Sequence, residues 1–262
     1  RRAAADRNRG ADRCEVYPLS RVALGTGAAR GLGAGSAGHL LSEGYRVVTA
    51  DLDLDAAKAS VADWGDQAFA LKMDVASEAS VEAGLDAVER HFGLPWLVVN
   101  NAAVMKAQKV LEIDINTFDA VMAVNVRGTF LGCQRFARRL RTQNAPGRIV
   151  NIGSLAGENG GTATGAHYAA SKGAIHTLTK VFARDLAPFG ITVNAIAPGP
   201  LDLPSVAETI GAEKMPGLIA GLPTGQLGNP LSVARMVAEL AHPLSGAITG
   251  STIDINSGLY MR

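Results

Sequence analysis

The sequence predicts an α/β domain built on a parallel β-sheet covered by helices on both faces. Three observations predict it. Short apolar runs, rich in β-branched residues, alternate along the chain with longer stretches of helical periodicity, which is the pattern of βαβ units. The runs are apolar almost throughout, as expected where both faces of a sheet are covered. No linker-like segment interrupts the alternation, so residues 20–262 read as one domain.

The elements follow in order. The run 21–26 ends in glycines, and 45–51 (YRVVTAD) is bounded by Gly44. The runs 68–73, 96–100, 148–153 and 192–197 repeat the theme, and 251–255 is the last. Helical patterns occupy 33–43, 54–64, 77–92, 115–142, 166–187 and 230–241. The stretch 198–228 breaks the alternation with Pro198, Pro200, Pro204, Pro216 and Pro223. A long irregular insertion after the carboxyl end of a strand, where ligands sit in open α/β sheets, reads as a lid over about residues 200–228.

Composition excludes several classes. The chain has 262 residues, 47% of them hydrophobic and 19% charged, so disorder is ruled out for most of it. A net charge of +1 offers no field for nucleic acid or an anionic membrane. No apolar run approaches the roughly 18–20 residues of a membrane helix. Cys14 and Cys133 are too far apart in sequence to form a metal or redox motif, and with only two cysteines a disulfide framework is excluded. The expected compartment is therefore the reducing cytoplasm, and no metal is expected. Residues 1–19 are polar, with Arg1, Arg2, Arg7, Arg9 and Arg13 interleaved with Asp6, Asp12 and Glu15. They read as a disordered extension or an expression-vector remnant, outside the fold.

The first strand runs into Gly27-Ala28-Ala29-Arg30-Gly31-Leu32-Gly33. Glycines in such a place permit a tight turn, let backbone approach a pyrophosphate, and let the next helix pack closely. The helix N-terminus then offers free N–H groups and a positive dipole end to phosphate. The spacing is G-x-x-x-G-x-G, and its weight comes from context: strand before, helix after, and a second strand ending in Asp51. A carboxylate there accepts hydrogen bonds from ribose hydroxyls and repels a 2′-phosphate, which favours NAD over NADP. Arg30, inside the loop, argues the other way and carries less weight.

Tyr168 and Lys172 are spaced i,i+4 on a helical stretch, so phenol and ammonium share one face. A nearby cation is expected to favour phenolate, giving a general acid–base near neutral pH. Ser154 stands at the carboxyl end of the 148–153 run. His167, beside Tyr168, reads as a surface residue on another face.

Taken together, TGAARGLG at 26–33, Asp51, Asp74, NNAA at 100–103, VNVRG at 124–128, Ser154, YAASK at 168–172 and NAIAPG at 194–199 resemble the short-chain dehydrogenase/reductase family. The resemblance covers roughly residues 20–258. Within the family the pattern is most similar to 3-oxoacyl-[acyl-carrier-protein] reductases and related NAD-linked alcohol dehydrogenases.

The resemblance implies a single Rossmann-like, doubly wound domain with seven parallel strands, and a tetrad of Asn125, Ser154, Tyr168 and Lys172. Asn125 would hold a water linking Lys172 to solvent. It further implies that Asp74 and Val75 flank the adenine, Asn101 and Ala102 line the cofactor cleft, and Pro198 and Gly199 back the nicotinamide. Tyr168 and Lys172 would also touch the cofactor. The implied activity is NAD(H)-dependent interconversion of a secondary alcohol and its ketone. A small hydrophobic substrate fits the apolar lid residues Leu201, Leu203, Val206, Ile210, Met215, Leu218, Ile219 and Leu222. A homotetramer built on helices 115–142 and 166–187 is expected, with Cys133, Phe136 and Leu140 as apolar groups along the first. The alternatives are a non-catalytic dinucleotide-binding regulator on the same fold, or an epimerase or synthase with transient hydride transfer.

Overall fold

β-Branched and apolar residues between glycine-bounded turns do form strands, and all pair in parallel. A computed structural model describes residues 21–161 and 163–261; the stretch 1–19, with Cys14, lies outside them. The elements run β1 (Val22–Thr26), α1 (Gly31–Ser42), β2 (Arg46–Asp51), α2 (Leu54–Ser60), β3 (Ala68–Lys72), α3 (Glu78–Phe92), β4 (Leu97–Asn100), α4 (Ile115–Met122), α5 (Gly128–Thr142), β5 (Gly147–Ile152), α6 (Ala156–Asn159), α7 (Ala166–Leu186), β6 (Ile191–Pro198), α8 (Pro204–Ile210), α9 (Met215–Ala220), α10 (Pro230–Ala241) and β7 (Thr252–Ile255). The seven-stranded sheet has the order β3-β2-β1-β4-β5-β6-β7. Strand order reverses between β1 and β4, which pair through Ala23↔Leu97 and Leu24↔Val98. That reversal opens a crevice at the carboxyl ends of the strands.

Successive residues of a strand face opposite sides, and the core divides accordingly. Val22 and Leu24 join Val48, Leu71, Leu85, Phe136 and Leu140 on one side. Ala23 joins Leu40, Val47, Leu97, Val99, Val237 and Leu240 on the other. Cys133, Phe136 and Leu140 are 0% exposed, so they pack inside their own domain and are not the apolar face for a partner expected above. Arg139, on the outer side of α5, pairs instead with Asp86 at 2.7 Å and Glu89 at 3.0 Å on α3.

Two stretches differ from the sequence reading. The single helix expected over 115–142 is split by a π-helical segment, Ala123–Arg127, closed by Gly128 N–H on the Ala123 carbonyl. Asn125 turns inward to three hydrogen-bonding groups on the distant residues Val104 and Ser171, and a wider turn accommodates the extra residue. The region read as irregular holds two short helices. Pro204 and Pro216, taken as breakers, lie in the first turns of α8 and α9, where a missing N–H costs nothing. Gly211, at φ +84°, ends α8.

Candidate active site

The nucleotide-facing half of the crevice is built by close backbone approach. Gly27 has φ +58°, and a Cβ there would lie 2.7 Å from Ala102 Cα; one at Gly33 would lie 2.6 Å from Asn101 Nδ2. Neither contact is tolerable, so glycine is required at both positions. Asn101 reinforces the turn by donating to the Thr26 and Gly27 carbonyls at 3.0 and 2.9 Å. The Ala102 N–H reaches Thr26 Oγ1 at 3.2 Å.

Helix α1 then begins differently from its neighbours. α2, α3, α4 and α10 start on Asp53, Ser77, Asp114 and Asn229, whose side chains cap an N–H of the first turn. α1 starts on Arg30, with no side-chain cap and no acid in its first turn. Its leading N–H groups are left for another acceptor.

Asp51, half-buried at the end of β2, uses both oxygens. Oδ2 accepts from Ala29 N–H and Oδ1 from Asp53 N–H, each at 3.1 Å. Arg30 is turned outward onto Asp53 at 3.1 Å and does not pair with Asp51. Leu32 is half-buried against the core. Asp74 Oδ1 accepts from Ala76 N–H at 2.9 Å. Val75 is buried beneath Gly128, whose Cβ would come within 2.8 Å of its Cγ2. The Pro198 carbonyl accepts from Leu155 N–H at 2.9 Å, and Gly199 N–H donates to the Ile255 carbonyl at 2.8 Å. Two glycines with no room for a side chain, an uncapped helix start and a partly exposed carboxylate line this half of the crevice.

The chemical half is carried by β5 and α7. Tyr168 and Lys172 lie one turn apart on α7, with the ammonium 5.5 Å from the phenol ring centroid. The Tyr168 hydroxyl hydrogen-bonds the Ser154 side chain. Ser154 Oγ also accepts from Ala156 N–H at 3.1 Å, which leaves its own hydrogen free to donate. Lys172 is 2% exposed and donates to the Ile152 carbonyl at 2.7 Å. Burial lowers its pKa from the ordinary 10.5 to about 8. Burial also raises the Tyr168 phenol above its ordinary value, only partly offset by the hydrogen bond to Ser154. The expected depression by Lys172 is not seen: burial of the phenol is the largest influence, and only Ser154 opposes it.

Asn125 does not reach Lys172. Its Oδ1 accepts from Val104 N–H at 2.8 Å, and its Nδ2 donates to the Val104 carbonyl at 3.0 Å and to Ser171 Oγ at 2.9 Å. Both of its side-chain N–H groups and one acceptor position go to bracing α7 and the segment after β4. His167 is 0% exposed rather than on the surface, and neither ring nitrogen has a partner among the described residues.

Sequence reading missed a pair behind Ser154. Glu158 on α6 and His176 on α7 meet at 2.7 Å between Oε1 and Nδ1. The signal was available, since His176 stands four residues after Lys172, on the same helix face. Among the described residues, no group of His, Cys, Asp and Glu could hold a metal ion.

The chain was then compared with known proteins. A family model described as "Enoyl-(Acyl carrier protein) reductase" matches residues 27–260. A 3-oxoacyl-[acyl-carrier-protein] reductase of Vibrio cholerae is 33% identical over 241 residues, covering 92% of this chain and 98% of the relative. A sorbitol dehydrogenase of Cereibacter sphaeroides is also 33% identical, over 251 residues, with the same coverage of 92% and 98%. Among solved structures, a 3-ketoacyl-(acyl-carrier-protein) reductase from Brucella melitensis complexed with NADH superposes with a TM-score of 0.84 at 31% identity. That match covers 92% of this chain and 98% of the solved one.

Proposed function

Because the chain belongs to the short-chain dehydrogenase/reductase family of oxidoreductases, we propose that it interconverts a secondary alcohol and its ketone with NAD(H), Tyr168 acting as general acid–base. The observation that carries this reading is the placement of Tyr168 and Lys172 one turn apart on α7, with the buried ammonium 5.5 Å from the phenol ring centroid and tied to the carboxyl end of β5, beside Ser154.

The glycine loop and the start of α1 would hold the pyrophosphate, and Asp51 the adenosine ribose. When bound, the nicotinamide supplies or accepts the hydride. The chain's own residues handle the proton and the oxygen. In reduction, Tyr168 donates its proton to the developing alkoxide, and a phenol raised by burial is held protonated for that task. Ser154, with its hydrogen free, donates to the same oxygen and orients it. Lys172 stabilises the phenolate that remains. Asn125 acts indirectly, by fixing α7 against the segment at Val104. In oxidation the proton flow reverses.

The relatives' names span a 3-oxoacyl group and sorbitol at equal identity, so the choice of substrate rests on the lid. Leu201 and Leu222 are buried in the fold. Val206, Ile210, Met215, Leu218 and Ile219 stay partly exposed and favour a small hydrophobic alcohol or ketone. Cys133, the cysteine of the described chain, is a free buried thiol, in keeping with a reducing cytoplasmic setting. Among the described residues, no helix is long and apolar enough to cross a membrane.

The test is absorbance of reduced nicotinamide with a panel of apolar secondary alcohols and NAD. Binding of NAD without turnover on any of them would replace this reading with the non-catalytic regulator. Cofactor choice has its own check. NAD should give the higher kcat/KM, and Asp51→Asn, which keeps an oxygen for Ala29 N–H but removes the charge, should narrow the preference by about tenfold, roughly 1.4 kcal/mol. A wild type that prefers NADP would assign the ribose end to Arg30 instead.

For assembly, we propose a homotetramer. A groove of about 780 Å³ runs between α4, the π segment, α5 and α7, lined by Met122, Val126, Phe130 and Leu178. Phe130 and Val181 are 36% and 42% exposed. Isologous contacts would cover these faces. Sedimentation at micromolar concentration should show four copies, and a monomer there would refute the proposal.

A further inference from the structure

The pair formed by Glu158 and His176 lies directly behind Ser154 and has no part in the reading above. His176 is 5% exposed, and its ring is clasped by two glycines. A Cβ at Gly157 would lie 2.9 Å from His176 Cε1, and one at Gly153 only 2.7 Å from its Cδ2. Any larger residue at either position would expel the imidazole. The Gly-Ser-x-x-Gly-Glu run from Gly153 to Glu158 therefore wraps one histidine.

The hydrogen bonds fix the state of that ring. Nδ1 stands 2.7 Å from Glu158 Oε1, a carboxylate that can only accept, so Nδ1 carries the hydrogen. Nε2 lies 3.5 Å along the Ser154 N–H and accepts from it, which requires a bare nitrogen. The two contacts agree on one neutral tautomer. One turn earlier on α7, Lys172 holds the Ile152 carbonyl at 2.7 Å. Helix α7 thus grips the end of β5 twice, at Ile152 and at Ser154, with the rungs four residues apart.

We propose that His176 is a positioning residue for Ser154, and that Glu158 sets its tautomer. Lys172 and His176 together fix the height of Ser154 along α7, and with it the distance from the Ser154 hydroxyl to the Tyr168 phenol. Without the His176 contact, the turn after Ile152 keeps only one rung to α7 and the Ser154 amide loses its acceptor, while Gly153 and Leu155 on either side stay bonded to β6. Misplacement of a reacting group by about 1 Å is enough to cost about 10²-fold in rate.

The inference rests on the reading of Ser154 and Tyr168 as the reacting pair, and the test separates the two. His176→Leu should lower kcat by about 10–10²-fold while leaving the KM for NAD within about twofold, since the glycine loop and Asp51 are untouched. His176→Gln can place its amide oxygen near the Nε2 position, where it accepts from Ser154 N–H, and should recover most of kcat. Nitrogen-15 NMR of the histidine ring in the wild-type protein should show hydrogen on Nδ1 and a bare Nε2. Glu158→Leu should turn that spectrum into a mixture of tautomers. The melting temperature of each variant, measured alongside, shows that it is folded. Wild-type kcat in folded His176→Leu, a Gln variant no better than the Leu variant, or a ring bearing hydrogen on Nε2 would each overturn the proposal. If Tyr168→Phe also kept full activity, the functional reading would fall; if Tyr168→Phe is inactive while His176→Leu is not, only the positioning role falls.

Discussion

Tyr168→Phe is expected to lower turnover by about 10²–10⁴, the range for losing a positioned general acid–base. The substitution keeps the ring and its packing on α7 and removes only the hydroxyl that meets Ser154. Binding of NAD should barely change, because the contacts proposed for it lie at the glycine loop and at Asp51. The measurement is steady-state kcat for alcohol oxidation and ketone reduction, with NAD affinity by calorimetry. Near-wild-type turnover would mean another proton donor, or a different kind of protein. A loss of NAD binding equal to the loss of kcat would mean that the phenol is structural.

Lys172→Met is expected to act on both halves of the site. It removes the cation that stabilises phenolate, so alcohol oxidation should fall by about 10²-fold or more and require higher pH. It also removes the donor to the Ile152 carbonyl and should raise the KM for NAD, in contrast to Tyr168→Phe. A stability measurement tests the burial of the ammonium independently of catalysis. The folded protein lowers the Lys172 pKa to about 8 from 10.5. Between those pH values the unfolded chain binds the proton and the folded chain does not, so stability gains a contribution that rises with pH across this window. Tyr168 has the opposite slope: its phenol is raised above 10.0 by burial, so its contribution is complete below pH 10 and fades as pH climbs through the folded value. Wild type should therefore gain stability relative to Lys172→Met, read from denaturant midpoints, between pH 7.5 and 10, because the cost of burying the ammonium is present at the lower pH and relieved at the higher one. Parallel curves would place Lys172 in a wet environment.

The alternation of strands and helices, and with it the seven-stranded parallel sheet, was legible because apolar runs bounded by glycine leave little choice of element. The start of α1 was read two residues late, at 33 instead of Gly31, because the glycines at 31 and 33 blur where the helix begins. Three features were not legible. The π segment arises from hydrogen bonds between Asn125 and residues 21 and 46 positions away, which no local periodicity encodes. The burial of His167 depends on what packs over the start of α7, and a helical wheel sees only the helix. The Tyr168 shift depends on burial of the phenol, opposed only in part by Ser154, and the spacing of Tyr168 and Lys172 says nothing about that burial. The two short helices within 198–228 were missed for the converse reason: prolines mark both the ends and the beginnings of helices, and only the capping geometry separates the two.

The π segment has a consequence for how this chain tolerates changes of length. One residue of an α-helix corresponds to about 100° of rotation. Deleting one residue of Ala123–Arg127 would let α4 and α5 fuse into one regular helix, and because the wider turn already absorbs that residue, both helices would keep their faces. Phe136 and Leu140 would stay in the core, and what would be lost is the inward turn of Asn125 onto Val104 and Ser171. A single-residue deletion is therefore tolerated by the packing here and refused in the middle of α5, where it would rotate everything beyond it by that angle.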